Sequence, residues 1–236
     1  KFRQINRFLE IVDDAVTSAG FEELTIVDFG CGKAYLTFIL YYYLNFVRGV
    51  KATMIGLDLK ADVIAKCNEA AEKYGYDDLH FEVGDISQYT SDSPIDMVIT
   101  LHACDTATDY ALYNAINWGT RVILSVPCCQ HELNGKIKTE RLSALTKYGL
   151  LKDRFAAIAT DSIRASMLEY AGYKTQILEF VDLSHTPKNI LIRAVKTNVS
   201  QAKRDKSLEE AENILADFNT DQTLHRLMTQ GISEGV

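Results

Sequence analysis

The sequence lacks several features that would define its class at once. No apolar run reaches the roughly 18 residues that a membrane-spanning helix needs, and none resembles a signal peptide. The sequence also contains no internal repeat and no low-complexity segment. With 47% hydrophobic residues, the chain can build a substantial core, either as one large domain or as a domain with a small appendage. We therefore expect a globular chain without a membrane partner.

Cysteine is scarce, and its pattern argues against a disulfide framework. The five cysteines are an odd number, two of them are adjacent, and no Cys-x-x-Cys occurs. They are Cys31, Cys67, Cys104, Cys128 and Cys129. We interpret them as free thiols in a reducing compartment and expect a cytoplasmic protein.

The chain has no excess of positive charge. It carries 32 acidic and 25 basic residues, for a net charge of −7. This balance gives no general bias toward nucleic acid, and we expect no DNA partner, although a local basic patch can coexist with it. The sequence begins at Lys1 without Met, and residues 2–19 already have apolar positions at helical spacing. That beginning is consistent with a missing N-terminal region.

Short β-rich runs alternate with longer amphipathic ones along the first half of the chain. This pattern predicts βαβ units and a parallel sheet that is buried on both faces. The predicted strands are residues 24–29, 51–57, 79–83, 95–101 and 121–126, and the helices between them are residues 34–47, 60–74 and 106–117.

The second half of the chain has a different pattern. Helices are predicted over residues 137–148 and 154–171, and strands over residues 174–183 and 189–195. The connection between these strands, residues 184–188, is too short for a parallel crossover, so the two strands should form an antiparallel pair.

These elements predict an α/β, Rossmann-like fold. Its sheet has seven strands and is mostly parallel, with an antiparallel final strand and helices on both faces. An N-terminal helix over residues 1–20 precedes this domain, which spans residues 21–197. A polar helical tail over residues 198–236 follows it.

A glycine turn follows the first predicted strand directly and reads Asp28-Phe29-Gly30-Cys31-Gly32-Lys33-Ala34. Its glycines allow a tight turn and close approach of a ligand, beside the free N–H groups of the next helix. A dinucleotide fingerprint would need glycine at position 35, which is Tyr, and a Walker A loop would need glycine at position 27, which is Val. A purely structural glycine turn stays open as an alternative.

Two further carboxylates lie at the ends of the next predicted strands. Asp58 ends the second strand, and Asp85 follows the third. A carboxylate at the end of the second strand can accept hydrogen bonds from both hydroxyls of a ribose. Either aspartate alone could be a solvated loop residue or a cap. Together with Asp28, at three successive strand ends, they favour a nucleotide-containing cofactor.

The glycine turn resembles motif I of class I S-adenosylmethionine-dependent methyltransferases, Asp/Glu-x-Gly-x-Gly-x-Gly, with Ala34 in place of the last glycine. The closing antiparallel pair is also what that family's sheet has. The resemblance implies S-adenosyl-L-methionine as cofactor, with its methionine part on the turn backbone and its amino group near Asp28. It further implies that the adenine lies against Asp85 and the next backbone N–H. The predicted cofactor residues are Asp28, Gly30, Cys31, Gly32, Lys33, Asp58, Leu59, Asp85, Ile86 and Leu101.

Titratable side chains follow the fourth and fifth predicted strands, where an α/β enzyme places its chemistry. His102 and His131 titrate in the range that is useful for removing a proton from a methyl acceptor, and Asp105 could orient a base or act as one. A hydrogen-bonded structural role is the alternative for each histidine. The fourth strand lacks Asn/Asp-Pro-Pro-Tyr/Phe, which argues against adenine N6 methylation.

The adjacent Cys128 and Cys129 allow three interpretations. They could shape the acceptor pocket as small, soft side chains, or one of them could attack a pyrimidine ring as a thiolate. The third is a metal site that uses both cysteines with His131, and with Cys104 or His102 as a further ligand. Adjacent cysteines chelate one zinc ion poorly, however, and we predict no metal. The candidate catalytic residues are His102, Asp105, Cys128, Cys129 and His131.

Two segments resemble a particular branch of this family. They are Leu101-His102-Ala103-Cys104-Asp105 and Pro127-Cys128-Cys129-Gln130-His131. They look like a branch of bacterial methyltransferase-domain proteins and, more distantly, a group containing a eukaryotic tRNA 2′-O-methyltransferase and methyltransferase-like proteins. The resemblance covers roughly residues 24–196 and implies RNA, with tRNA a candidate, as the acceptor. Basic residues after the fifth strand could contact phosphates or be solvated helix faces: Lys136, Lys138, Arg141, Lys147, Lys152 and Arg154.

Other functions stay open from the sequence. The alternatives are a small-molecule or protein methyltransferase on the same fold, and a non-catalytic module that binds the cofactor. The sequence does not indicate an oligomeric state.

Overall fold

The computed structural model describes residues 2–91, 93–101, 103–179 and 189–230, with side chains from residue 5 onward. Nearly all of these residues belong to one α/β assembly. Its strands are β1 (Glu23–Phe29), β2 (Lys51–Asp58), β3 (Leu79–Val83), β4 (Met97–Thr100), β5 (Val122–Ser125), β6 (Tyr173–Glu179) and β7 (Ile190–Lys196). Its helices are α1 (Phe2–Ala19), α2 (Tyr35–Tyr42), α3 (Ala61–Tyr74), α4 (Thr106–Asn117), α5 (His131–Lys136), α6 (Ser143–Thr146), α7 (Gly149–Tyr170), α8 (Gln201–Asp217) and α9 (Thr223–Gln230), and a π-helical segment (Tyr43–Arg48) continues α2.

The seven strands form one sheet in the order β3-β2-β1-β4-β5-β7-β6. The pairs β1–β2, β1–β4, β2–β3 and β4–β5 are parallel, whereas β7 runs antiparallel to both β5 and β6. The predicted fold class is therefore confirmed. The predicted connection over residues 184–188 lies outside the described residues.

Strand β1 shows why the sheet is buried on both faces. Its side chains alternate, so that Leu24 and Ile26 pack in the core cluster that contains α1, α2 and α3. Val27 and Phe29 pack in a second cluster, which contains α4, α7, α8 and α9. Every residue of β4 and β5 is buried, which explains why their sequences are apolar up to the last residue of each strand, Thr100 and Ser125.

The region after β5 differs from the predicted helix over residues 137–148. The chain instead forms α5 earlier and a single turn, α6, later. Ile137 breaks the helix because its backbone is extended, at φ −52° and ψ 120°, while its side chain is buried. The N–H of Lys138 then donates to the carbonyl of Phe218, at 3.2 Å. A hydrogen bond to the residue that follows α8, far along the chain, thus replaces the hydrogen bond that Lys138 would make within a helix.

None of the helices in the described part of the chain is both long enough and apolar enough to cross a membrane.

Candidate active site

A cavity of about 460 Å³ opens at the carboxyl ends of the parallel strands. Strand β1 lies between β2 and β4 in the sheet, so the strand order reverses here, as at the ligand site of doubly wound folds. The volume falls within the range of about 300–1,000 Å³ that is usual for small-molecule sites. Five predicted cofactor residues line the cavity: Gly30, Asp58, Leu59, Asp85 and Ile86.

The glycine turn contributes Gly30 to the lining of this cavity and is hydrogen-bonded to the end of β2. The N–H groups of Gly30 and Cys31 both donate to the carbonyl of Leu57, at 2.8 and 3.0 Å. Gly32 has φ +53°, and a Cβ there would meet no atom within 4 Å. Glycine is therefore favoured at this position by the backbone conformation and not by space. Ala34 adopts the same left-handed region, with φ 54°.

Asp58 joins the end of β2 to the glycine turn. Its Oδ2 accepts a hydrogen bond from the N–H of Gly32, and its Oδ1 accepts one from the N–H of Lys60, both at 3.0 Å. Each carboxylate oxygen has a second lone pair. The half-buried side chain can therefore accept further hydrogen bonds from hydroxyl groups in the cavity.

Asp28 lies on the last part of β1 and is buried. Thr37 Oγ1 donates a hydrogen bond to its Oδ2, at 2.6 Å. Burial raises the pKa of the Asp28 carboxyl to about 7, and the hydrogen bond from Thr37 opposes that rise. A cationic group nearby would favour the ionised form of this carboxyl. Asp28 does not itself line the cavity.

Asp85 and its neighbours form the wall next to β3. The exposed Asp85 accepts hydrogen bonds on Oδ1 from the N–H and the Oγ of Ser87, both at 2.8 Å, which lower the pKa of its carboxyl. The apolar side chain of Leu59 is 70% exposed in the same cavity. With Ile86, it provides an apolar surface beside a carboxylate, an arrangement that suits a flat ring carrying an amino group.

The other predicted cofactor residues are placed differently. Cys31 and Leu101 are buried in the core, where burial raises the pKa of the Cys31 thiol. Lys33 is exposed. Cys31, Gly32, Lys33 and Leu101 are not among the residues that line the cavity.

The far wall of the cavity comes from residues that the sequence did not single out as cofactor residues. They follow β4 or begin α4, and they are Ala103, Cys104, Thr106, Ala107 and Tyr110. Their positions were predictable in principle, because β4 and β1 are parallel neighbours whose carboxyl ends meet at one edge of the sheet.

The predicted catalytic cysteines lie next to this wall. Cys128 Sγ is 2.9 Å from Cys104 Sγ and 3.7 Å from Cys129 Sγ. Burial and the neighbouring thiols raise the pKa of Cys128 to about 12. Cys128 is thus a neutral thiol at neutral pH, which weighs against a resident thiolate nucleophile.

Asp105 is held in an unusual conformation at the start of α4. Its backbone has φ 54° and ψ −123°, a strained combination for a residue other than glycine. Its Oδ1 accepts a hydrogen bond from the N–H of Glu132, at 3.0 Å, and its carbonyl accepts one from Arg164 Nη2, at 2.8 Å. Of the two predicted histidines, His131 is the exposed first residue of α5, and His102 lies outside the described residues.

The support for Asp105 is a buried charge cluster that sequence reasoning missed. Arg164 on α7 is completely buried and pairs with Asp109 on α4, through bonds of 2.8 Å from both Nε and Nη2. It also pairs with Asp161, at 3.1 Å. The Oδ1 of Asp109 accepts a further bond from Gln222 Nε2, at 2.6 Å. This cluster ties α4, α7 and the start of α9 together behind the site.

The sequence matches a known protein family. A family model for a methyltransferase domain matches residues 1–136, more than half of the 236-residue chain. The chain therefore belongs to this methyltransferase-domain family. No curated protein matches the sequence.

Two solved structures with TM-scores above 0.5 have the same fold at low sequence identity. A candidate S-adenosyl-L-methionine-dependent methyltransferase from Methanococcus maripaludis superposes with a TM-score of 0.51 at 12% identity, over 83% of this chain and 87% of that one. The bifunctional kinase-methyltransferase WbdD superposes with a TM-score of 0.51 at 16% identity, over 81% of this chain and 38% of that one. The CMeT domain of the citrinin polyketide synthase has a TM-score of 0.48 at 16% identity, over 75% of this chain and 47% of that one. The chain thus spans less than half the length of the last two.

Proposed function

We propose that this chain transfers the methyl group of S-adenosyl-L-methionine to RNA, with tRNA as the first class to test. The observation that carries the cofactor assignment is the cavity at the reversal of strand order, which has Asp58 on one strand end and Asp85 on the next. Membership of the methyltransferase-domain family supports the reaction class. The acceptor rests on the surface described below and on the resemblance of the segments after β4 and β5.

The residues present fit the cofactor part by part. Asp58 has lone pairs for the two ribose hydroxyls, and Asp85 has an oxygen for the adenine amino group. Leu59 and Ile86 would cover the faces of the ring. Asp28, beneath the glycine turn, supplies the negative charge that a cationic amino group requires. When bound, the cofactor supplies an electrophilic methyl group on a sulfonium.

The chain's own chemistry toward the acceptor is positioning and proton removal. The acceptor would approach from the side of β4 and β5, where Asp105 is fixed by Glu132 and Arg164. His131 is the exposed first residue of α5, which follows β5, and is one candidate base. His102 is the other candidate base.

A basic and apolar surface follows α5 and supports an RNA acceptor. We define the basic segment as residues 138–154. It exposes Lys138, Arg141, Lys147 and Arg154, interleaved with exposed apolar side chains such as Tyr148 and Leu150. None of the four cations forms an ion pair within the part of the chain that the structure describes. Unpaired cations beside an aromatic ring suit contact with phosphates and unstacked bases.

The basic residue at the end of α5 has another role. Lys136 Nζ lies 2.8 Å from Glu132 Oε1 and 2.5 Å from Asp221 Oδ1. Its charge is therefore neutralised within the protein, and we leave it out of the proposed RNA surface.

The experiment is a transfer assay with a tritiated methyl group against total RNA, total protein and small metabolites. We expect label in RNA. In the double variant Arg141→Ala/Lys147→Ala, RNA affinity should fall and its logarithmic salt slope should decrease by about 2, or about 1 for each lost phosphate contact. The matched control is Lys66→Ala/Lys73→Ala, two exposed lysines on α3.

The outcomes separate the candidate functions. Label in the protein or metabolite fraction alone would reject the RNA acceptor while keeping the methyltransferase. Tight binding of S-adenosylhomocysteine without transfer to any fraction would indicate a non-catalytic cofactor-binding module. Equal salt slopes for the two double variants would remove the basic segment from the proposal.

A further inference from the structure

Three cysteine side chains converge where the chain leaves β4 and β5. We call them the thiol trio: Cys104, Cys128 and Cys129. Their sulfur atoms all lie within 4.8 Å of one another. In the described part of the chain, this is the one group of three or more His, Cys, Asp or Glu side chains that meets such a criterion. The other two cysteines, Cys31 and Cys67, are buried elsewhere in the core.

The fold brings a third cysteine, Cys104, next to the adjacent pair Cys128 and Cys129. Adjacent cysteines alone are poor chelators, yet the sulfurs of Cys128 and Cys129 are only 3.7 Å apart. Cys104 arrives from the neighbouring parallel strand, and its sulfur is 2.9 Å from that of Cys128. The positive φ of Asp105 turns the chain immediately after Cys104, and this strained turn is held by the bond from Arg164. A strained backbone beside clustered functional groups is a recognised feature of functional sites.

We propose that the thiol trio binds a thiophilic divalent ion of the zinc class through three thiolates. Each thiol releases its proton to solvent, and each thiolate replaces one water in the hydration shell of the ion. With zinc–sulfur bonds of about 2.3 Å in tetrahedral geometry, neighbouring sulfurs lie about 3.8 Å apart. The observed separations of 2.9 and 3.7 Å, with all three sulfurs within 4.8 Å, need only small side-chain rotations to reach that value. Soft thiolates select zinc or copper(I) over magnesium or calcium.

The coordination set that the described residues provide leaves one position open. No fourth His, Cys, Asp or Glu among the described residues brings a ligand atom within 4.8 Å of all three sulfurs. Three protein ligands with an open fourth position are typical of catalytic zinc, whereas structural zinc sites are closed. Cys104 also lines the cavity assigned to the cofactor. If the proposed function holds, an acceptor hydroxyl that occupies the open position would lose its proton more readily next to the methyl donor.

The test is a titration of the full chain with Co²⁺, which substitutes for zinc and reports thiolate ligands by charge-transfer absorption. The protein is reduced with a phosphine under argon and freed of metal by a chelator. We expect one equivalent of Co²⁺ to give thiolate charge-transfer bands, and Zn²⁺ to abolish them. Cys104→Ser, Cys128→Ser and Cys129→Ser should each weaken Co²⁺ binding at least about 10-fold, since even groups behind the ligands contribute that much. The matched control Cys67→Ser, which changes a buried cysteine outside the trio, should keep the bands.

Two results would overturn the site. One is the absence of charge-transfer bands in the reduced wild-type chain. The other is unchanged Co²⁺ affinity in Cys104→Ser, which would show that Cys104 is not a ligand and that only the adjacent cysteines contact the ion. Binding of S-adenosylhomocysteine, measured by calorimetry on the metal-free chain, tests the cofactor assignment separately. Failure of one measurement therefore does not imply failure of the other.

Discussion

Thr37 Oγ1 donates a hydrogen bond of 2.6 Å to Oδ2 of Asp28, a carboxyl that is buried beneath the glycine turn. A buried carboxylate with one hydroxyl partner is incompletely compensated, and burial accordingly raises the pKa of Asp28 to about 7. A cationic ligand would favour the ionised form of this carboxyl, whereas in the free protein its ionisation lowers stability.

Replacement of Asp28 by Asn should stabilise the fold in a pH-dependent way. The pKa of Asp28 rises from 3.8 when unfolded to about 7 when folded, so between these pH values the unfolded chain loses the proton first. Folding stability then falls as pH rises, and the deficit is complete above about pH 7. Asp28→Asn should therefore raise the free energy of unfolding by a few kcal/mol at pH 8 and by less at pH 5. Denaturant titrations at both pH values measure this.

The same substitution should weaken cofactor binding, because a neutral amide does not attract an amino group as a carboxylate does. Thr37→Val is the companion variant. It removes the bond to Asp28 and should lower stability at pH 8 more than at pH 5. An equal effect of Asp28→Asn at the two pH values would show that the carboxyl titrates normally.

Asp58→Ala should weaken binding of S-adenosylhomocysteine by about 1–3 kcal/mol, or roughly 5- to 150-fold. The ribose hydroxyls lose their acceptor, and Gly32 and Lys60 lose the carboxylate that holds the turn. Calorimetric titration measures the affinity, and a denaturation curve of each variant separates binding from folding. Asp62→Ala, at an exposed position in the first turn of α3, is the control. If Asp58→Ala binds like the wild type, the ribose assignment is wrong.

Ala34→Gly should stabilise the protein by about 1 kcal/mol, because a left-handed backbone strains alanine but not glycine. For a chain of this size, that corresponds to a rise in Tm of about 2–4 °C. The reciprocal variant Gly32→Ala introduces the same strain where a Cβ meets no neighbour, and it should lower Tm by a similar amount. Thermal unfolding of the two variants should therefore shift in opposite directions, and a shift in the same direction would contradict the strain argument.

The fold could be predicted from the sequence because strands buried on both faces produce mostly apolar runs, as in β4 and β5. The glycine turn was recognisable because its left-handed backbone conformations favour glycine. The helix predicted over residues 137–148 was wrong because burial of Ile137 and a bond from Lys138 to Phe218 are not local.

The thiol trio shows a second feature that depends on contacts between residues far apart in the sequence. Cys104 and Cys128 are 24 residues apart, and only the pairing of β4 with β5 brings them together. The sequence separated them into two motifs, and the distance between their sulfurs required the structure.

Arg164→Met should destabilise the protein by about 3–5 kcal/mol, which is usual when one partner of a buried ion pair is removed. No sequence signal marks this arginine, since arginine in a helix is commonly exposed. Here it is completely buried between Asp109 and Asp161. The neutral side chain would leave both carboxylates buried without a cation, and the carbonyl of Asp105 would lose its donor.

The triple variant Arg164→Met/Asp109→Asn/Asp161→Asn tests the cause of that loss. If uncompensated charge is responsible, removal of both carboxylates should restore much of the stability, as is seen when buried ion pairs are replaced by neutral side chains. Lys51→Met breaks an exposed ion pair with Glu23 and should change stability little. Denaturant unfolding of the three variants gives the comparison. If the triple variant is as unstable as Arg164→Met, the loss of stability comes from packing and from the released Asp105 turn. In that case methyl transfer should stay impaired even at temperatures where the triple variant is folded.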